Sequence, residues 1–232
     1  MRADWRGPAR RKACTKALKR VRDGMVIGLG SGTTMAIFIE ELSKRVEREQ
    51  IKVLAVPSST QAELEAAAHG IKLTSLTQYP ELDLAVDGAD AVDVRNLNLI
   101  KGGGAALTRE KIVDSAAKEF IVVVDEGKLS KGLAGPVPVE VVPFGLKATV
   151  KKIMGIGGKP KLREGSGKVG PVITDNGNFI LDVEFGEIGN PGELDARLKS
   201  IPGVVETGLF LNMADEIYVG FKEGNVQILR RR

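Results

Sequence analysis

The chain has 232 residues, of which 43% are hydrophobic, 28% charged and 4% aromatic, with a formal net charge of +4. That is enough for a substantial core in one large domain, or in one domain carrying a smaller one, and the mild charge and sparse aromatics argue against nucleic acid as a partner. No apolar run approaches the roughly 20 residues that span a bilayer, one cysteine (Cys14) excludes an internal disulfide, and one histidine (His69) leaves no Cys/His metal cluster.

Residues 8–22 read as a basic helix, with Ala13, Ala17, Leu18 and Val21 as a modest apolar stripe and Gly24 closing it. The Arg10-Arg11-Lys12 cluster and the Arg230-Arg231-Arg232 tail are of a kind that can bind nucleic acid and that occurs just as readily as solvated helix faces and tails. No charged-then-apolar leader opens the sequence, so the expected location is cytoplasmic, with no membrane association.

Residues 25–27 form a short buried strand, followed by the loop Gly28-Leu29-Gly30-Ser31-Gly32-Thr33-Thr34 and a helix through Ala36, Ile37, Ile39 and Leu42. Strand, glycine loop and helix make a phosphate cradle, in which backbone N–H groups are joined by the hydroxyls of Ser31, Thr33 and Thr34. The spacing is G-x-G-x-G, which is neither the dinucleotide fingerprint nor a Walker loop. The next strand, 52–56, ends in Pro57-Ser58-Ser59 where an acidic residue for a ribose would be expected, so a nicotinamide cofactor is disfavoured. Ser58, Ser59 and Thr60 then open a helix over 61–68, as an ordinary cap or as ligand donors.

A third strand, 82–86, enters Asp87-Gly88-Ala89-Asp90, and carboxylates at the C-terminal end of a strand lie where ligands bind in open α/β sheets. Residues 96–100 add a strand before Lys101-Gly102-Gly103-Gly104. Three consecutive glycines lose the most backbone entropy on folding, and suit a loop that a small anionic ligand approaches closely. Thr108 reads as the N-cap of a helix over 108–117, which puts Glu110 in its first turn. A surface turn followed by a helix whose Glu complements the dipole describes the same residues taken alone. Residues 120–124 form a strand ending in Asp125-Glu126-Gly127-Lys128, and the alternation through this half implies α/β architecture, a doubly wound Rossmann-like parallel sheet.

From about Val137 the order becomes strand (137–142), helix (147–154), strand (159–163), a hairpin-like pair over 172–185 around Asn176-Gly177, helix (193–200) and strand (204–210). That is a β-α-β-β-α-β, ferredoxin-like α+β unit. Strands at 217–221 and 226–229 are expected to return to the first domain. The expected division is a catalytic domain of residues 1–130 and 208–232, and a small domain of residues 131–207.

G-L-G-S-G-T-T at 28–34, D-G-A-D at 87–90, K-G-G-G-A-A-L-T-R-E-K at 101–111, D-E-G-K at 125–128 and I-P-G-V-V-E-T-G-L-F at 201–210 come in a telling order. With these motifs the chain resembles the type A ribose-5-phosphate isomerases over nearly its whole length. The resemblance implies interconversion of D-ribose 5-phosphate and D-ribulose 5-phosphate in the pentose phosphate pathway. It implies no metal and no cofactor, and a two-domain subunit in a homodimer or homotetramer. Position by position it makes Glu110 the proton-shuttling base, gives Asp87 and Asp90 ring opening and the hydroxyls, and gives Lys101 and Lys128 positive charge. Ser31, Gly32, Thr33 and Thr34, with Gly102, Gly103 and Gly104, contact the substrate or its phosphate. The family's lysine near the start of the first helix has Arg10 closest to its place, and the basic segment before Ala9 has no assigned counterpart.

The chemistry agrees with the residue types. Moving a carbonyl between adjacent carbons needs one carboxylate held against both, and a cation or donors for the enediolate oxygens. A coenzyme A transferase would instead need a nucleophilic Glu and a pantetheine groove. An aminosugar-phosphate deaminase would be expected to use a His, and His69 lies outside every motif. A sugar-phosphate-sensing regulator would need a DNA-binding module, for which the first 24 residues are too short.

Overall fold

The computed structural model describes residues 4–167 and 169–231, so Arg232 of the basic tail lies outside the described residues. In chain order the main elements are α1 (Arg6–Ala17), β1 (Val26–Leu29), α2 (Thr33–Glu49), β2 (Leu54–Pro57), α3 (Thr60–Ala68), β3 (Lys72–Leu73), β4 (Leu84–Asp87), α4 (Leu107–Ser115) and β5 (Phe120–Asp125). They continue as β6 (Val137–Val141), α5 (Leu146–Gly155), β7 (Lys159–Leu162), β8 (Phe179–Glu184), α6 (Pro191–Lys199), β9 (Val204–Thr207), β10 (Glu216–Gly220) and β11 (Val226–Arg230). The chain divides into two compact units: Met1–Ala89, Arg109–Leu129 and Met213–Arg232 form one, and Asp90–Thr108 and Ser130–Asn212 the other.

The first unit is a seven-stranded sheet in the order β11-β10-β5-β4-β1-β2-β3, parallel throughout except for the β10–β11 hairpin at its edge. Read from β3 to β10 this is the doubly wound order, with its reversal between β1 and β4, and the crevice at the C-terminal ends of those two strands is where such sheets bind ligands. Apolar runs make the central strands because both faces are covered. Ile27 and Leu29 join one buried cluster with Met35, Phe38, Ile39 and Leu42 of α2, while the neighbouring Val26 joins another with Val56, Leu82 and Val113. The α2 spacing of i, i+3, i+4, i+7 is one helical face, and full burial of each such side chain stabilises by roughly 1.5–3 kcal/mol.

The second unit carries a sheet in the order β7-β8-β6-β9, antiparallel at every pairing. With α5 and α6 as the crossovers this is the expected ferredoxin-like split unit. The expected hairpin is only partly present: Asn176-Gly177 makes its turn, with Gly177 at φ 77°, but its first arm is reduced to isolated bridges at Pro171 and Ile173, and β8 pairs with β7 and β6. The expected strand over 204–210 breaks at Gly208, where a Cβ would stand 2.2 Å from the Lys101 carbonyl oxygen. Beyond it, Leu209-Phe210 pairs with Leu99-Ile100, which pairs with Ala91-Val92. This ladder puts residues 90–108 and 208–212 in the second unit, where the sequence reading had them in the first. Among the described residues no helix is long and apolar enough to cross a membrane.

Candidate active site

In the first unit the site is built at the reversal point of the sheet. Asp87 ends β4 with no exposure, and its Oδ1 accepts the N–H groups of Ser31 (3.2 Å) and Gly88 (2.6 Å). It lies so close to the loop after β1 that a Cβ on Gly30 would fall 1.8 Å from the Asp87 Cγ; a side chain there is sterically impossible without movement. The loop then turns through Gly32 at φ 88°, a conformation that favours glycine, and its N–H donates to Gln61 Oε1 at 2.8 Å. The Ser31 hydroxyl donates to Ser59 Oγ at 2.6 Å and lies 2.9 Å from Ser58 Oγ. Ser59 is also the N-cap of α3, accepting from the Ala62 N–H at 3.1 Å, as the cap reading of these serines expects.

Thr33 and Thr34 open α2, whose N-terminus carries no side-chain cap. Its first-turn N–H groups and its dipole favour an anion there. Arg10 reaches this point from α1, donating from Nη1 to Thr33 Oγ1 at 2.9 Å while its Nε stands 3.4 Å from Asp125 Oδ2. Asp125 is 2% exposed and caps the turn that carries Lys128, accepting from Gly127 N–H at 3.1 Å. Glu110, in the first turn of α4, is 4% exposed. Cys14 is no nucleophile: burial pushes its thiol up to about 12.

In the second unit, Asp90 Oδ2 accepts the Gly103 N–H at 2.7 Å, and a Cβ on Gly103 would stand 2.7 Å from Asp90 Oδ1. Lys101 is 2% exposed, with its Nζ 5.1 Å from the centroid of the Phe210 ring, and its N–H donates to the Gly208 carbonyl at 2.9 Å. Gly102 adopts φ +107°. Thr108 is not the N-cap predicted, because α4 already begins at Leu107; its hydroxyl instead donates to Glu140 Oε2 at 2.5 Å. Glu140 lies fully buried on β6, and its other oxygen accepts from Thr174 (2.9 Å), Asn176 (3.1 Å) and Asn178 (2.8 Å). Four donors on one buried carboxylate meet the cost of desolvating it.

Residues 54–224 match the family model described as ribose 5-phosphate isomerase A (phosphoriboisomerase A). The ribose-5-phosphate isomerase A of Methanosarcina acetivorans is 54% identical over 225 residues, covering 97% of this chain and 95% of that protein. This chain belongs to the ribose 5-phosphate isomerase A family. Solved relatives match over most of the chain. The ribose 5-phosphate isomerase A of Methanocaldococcus jannaschii gives a TM-score of 0.92 at 46% identity, covering 96% of this chain and 98% of that one. A D-ribose-5-phosphate isomerase in complex with phospho-erythronic acid gives 0.93 at 48% identity, covering 97% and 99%.

Of the residues singled out in the sequence, the first unit brings Ser31 to Asp87 and holds Thr33 by Arg10, and the second brings Asp90 to Gly103. Arg10, named earlier only for its place in the helix, gains a definite position. Gln61, Glu140, Arg163 and Asp182 were not singled out. Glu140 had a signal, since it interrupts an otherwise apolar strand, Val137-Pro138-Val139-Glu140-Val141, and a buried carboxylate needs donors. Among the described residues no group of three or more His, Cys, Asp or Glu side chains is placed to hold a metal ion.

Proposed function

We propose that this chain interconverts D-ribose 5-phosphate and D-ribulose 5-phosphate through an enediolate, with Glu110 as the base. The observation that carries the proposal is a buried carboxylate in the first turn of the helix that follows the triple glycine, in a chain of this family. On the opened sugar, the Glu110 carboxylate takes the proton from carbon 2, and the electrons of that C–H bond form the carbon 1–carbon 2 double bond of the enediolate. Return of the proton to carbon 1, with transfer of the hydroxyl proton from oxygen 2 to oxygen 1, gives the ketose. The phosphate is assigned to the uncapped start of α2, with Ser31, Gly32, Thr33, Thr34 and Arg10 around it and Lys128 adding charge. Lys101 and the amides of the Gly102–Gly104 loop are assigned to the enediolate oxygens, and Asp87 and Asp90 to ring opening and the sugar hydroxyls. The same reading has no metal in the reaction: isomerisation of ribose 5-phosphate persists in the presence of a chelator.

Glu110→Gln tests the assignment directly. The variant folds and binds ribose 5-phosphate, and its turnover falls by about 10²–10⁴, the usual contribution of a positioned general base. A Glu that only complements the helix dipole would leave turnover at the parent value. The family resemblance also supports a cytoplasmic homodimer or homotetramer; sedimentation that shows a 24.8 kDa species alone at working concentration contradicts the assembly.

A further inference from the structure

Arg163 follows β7, and its side chain is 16% exposed. Its guanidinium is engaged on both edges. Nε donates to Asp182 Oδ2 at 2.9 Å and Nη2 to Asp182 Oδ1, while Nη1 donates to the carbonyl oxygens of Gly102 at 2.7 Å and Gly103 at 3.1 Å. Asp182 is itself fixed, standing opposite Lys161 in the β7–β8 ladder. A cation with this fork geometry can join a carboxylate to two successive carbonyls, which a lysine ammonium cannot reproduce.

The Gly102 carbonyl also accepts the Ala105 N–H at 3.0 Å within the turn, and the two Arg163 contacts act with it to fix where the loop's N–H groups point. The described chain has no cis peptide bond, and in a trans peptide the C=O and N–H point in opposite directions. The Gly102–Gly103 peptide is therefore held from both sides, its oxygen by Arg163 and its N–H by Asp90 at 2.7 Å. This N–H is committed to protein. The Gly103–Gly104 peptide has its oxygen on Arg163 as well, so the Gly104 N–H points away from the guanidinium. Space beside Gly104 is open: a Cβ there would meet nothing within 4 Å, whereas one on Gly102 would meet Leu107 at 2.8 Å and one on Gly103 would meet Asp90 at 2.7 Å.

We infer that Arg163, held by Asp182, is a positioning residue that sets the peptide planes of the Gly102–Gly104 loop, so that the Gly104 N–H is presented to the developing negative charge of the enediolate. The inference rests on the isomerase reading above and, with the Gly103 N–H committed to Asp90, names the Gly104 amide as a donor within the loop. A preorganised donor of this kind costs no reorganisation at the moment of reaction, and loss of one typically slows turnover by about 10²–10³.

The test is steady-state kinetics with thermal unfolding on Arg163→Lys, Arg163→Met and Asp182→Asn, with phospho-erythronic acid as a competitive probe whose carboxylate places negative charge where the enediolate would. Arg163→Lys lowers kcat by about 10–100-fold with KM within about threefold of the parent, and weakens phospho-erythronic acid at least tenfold. Asp182→Asn leaves the arginine in place but loosens it, and lowers kcat by a smaller factor. If Arg163→Met fails to fold, the other two variants carry the test. Variants that unfold at lower temperature yet keep parent kcat and parent affinity for phospho-erythronic acid make Arg163 a structural residue and overturn the inference. Failure of the parent to convert ribose 5-phosphate would instead overturn the isomerase reading, and is seen before any variant is made.

Discussion

The molecule contains two glycine loops, and they use glycine for different ends. In the Gly28–Thr34 loop Gly28 and Gly30 let protein approach protein, while Gly32, with open space beside it, serves the turn at φ 88°. Gly30 leaves room for the buried Asp87 carboxylate, and a Cβ on Gly28 would stand 2.5 Å from Val113 Cγ1. What this loop offers a ligand is side-chain hydroxyls, the Arg10 guanidinium and the start of α2. The Gly102–Gly104 loop has no hydroxyl of its own. It offers backbone, held from behind by Arg163 and from the side by Asp90, and at Gly104 the space is empty. A phosphate carries its charge throughout the reaction and can be held by flexible donors, while an enediolate is charged only in passing and is best met by donors already in place.

The comparison breaks most visibly at the glycines themselves. Gly30→Ala must displace Asp87 or the loop, and should destabilise the chain by about 3 kcal/mol, the upper end of the usual cost of overpacking. Gly104→Ala should leave the unfolding temperature within about a degree of the parent and lower turnover instead. Thermal unfolding alongside kinetics distinguishes them, and equal stability losses in the two variants would erase the distinction.

Next in size is Arg10→Ala. It removes a charge-assisted donor from the proposed phosphate end, worth roughly 1.5–3 kcal/mol, so KM for ribose 5-phosphate should rise about 10- to 100-fold with kcat little changed. A parent KM would take Arg10 out of the phosphate site.

The smallest effect belongs to the opposite end of the strand that carries Asp87. Asp83 precedes β4, accepting from Lys118 Nζ at 2.9 Å and from the Val26 N–H at 3.0 Å, and the lysine hydrogen bond, then the backbone one, holds its carboxyl below the usual value. A depressed carboxyl contributes stability above its unfolded pKa of about 3.9, and that contribution is lost as pH falls through the folded value. Asp83 is partly exposed, so screening keeps the contribution below about 1 kcal/mol. Asp83→Asn should therefore lower stability slightly at neutral pH, with the gap closing in strong acid, and leave turnover alone. A gap that widens in acid would reverse the sign of this account.

Much of the architecture was readable because the physics was local. Buried strands such as Phe120-Ile121-Val122-Val123-Val124 are continuous apolar runs, and their alternation with amphipathic helices dictates a parallel sheet. The two-residue strand Lys72-Leu73 and the strand Ala91–Asp93 are too short for a period to register, and they exist because a neighbouring strand offers a free edge. Thr108 was misread for a related reason: a Thr at a helix start is ordinarily a cap, but here a buried carboxylate 32 positions away claims the hydroxyl. Glu110, Asp87 and the glycines stood in motifs. Arg163 works on a carbonyl 61 positions earlier in the chain, and no local pattern announces such a contact.

The central claim is that Glu110 carries the proton between carbons 1 and 2. The most direct measurement is incorporation of deuterium at carbon 2 of ribose 5-phosphate in deuterated water, followed by proton NMR for the parent chain and Glu110→Gln. The parent should exchange this position during turnover, and the variant should bind the sugar phosphate yet fail to exchange it. Exchange by the variant at near the parent rate would show that another group moves the proton, and would contradict the account.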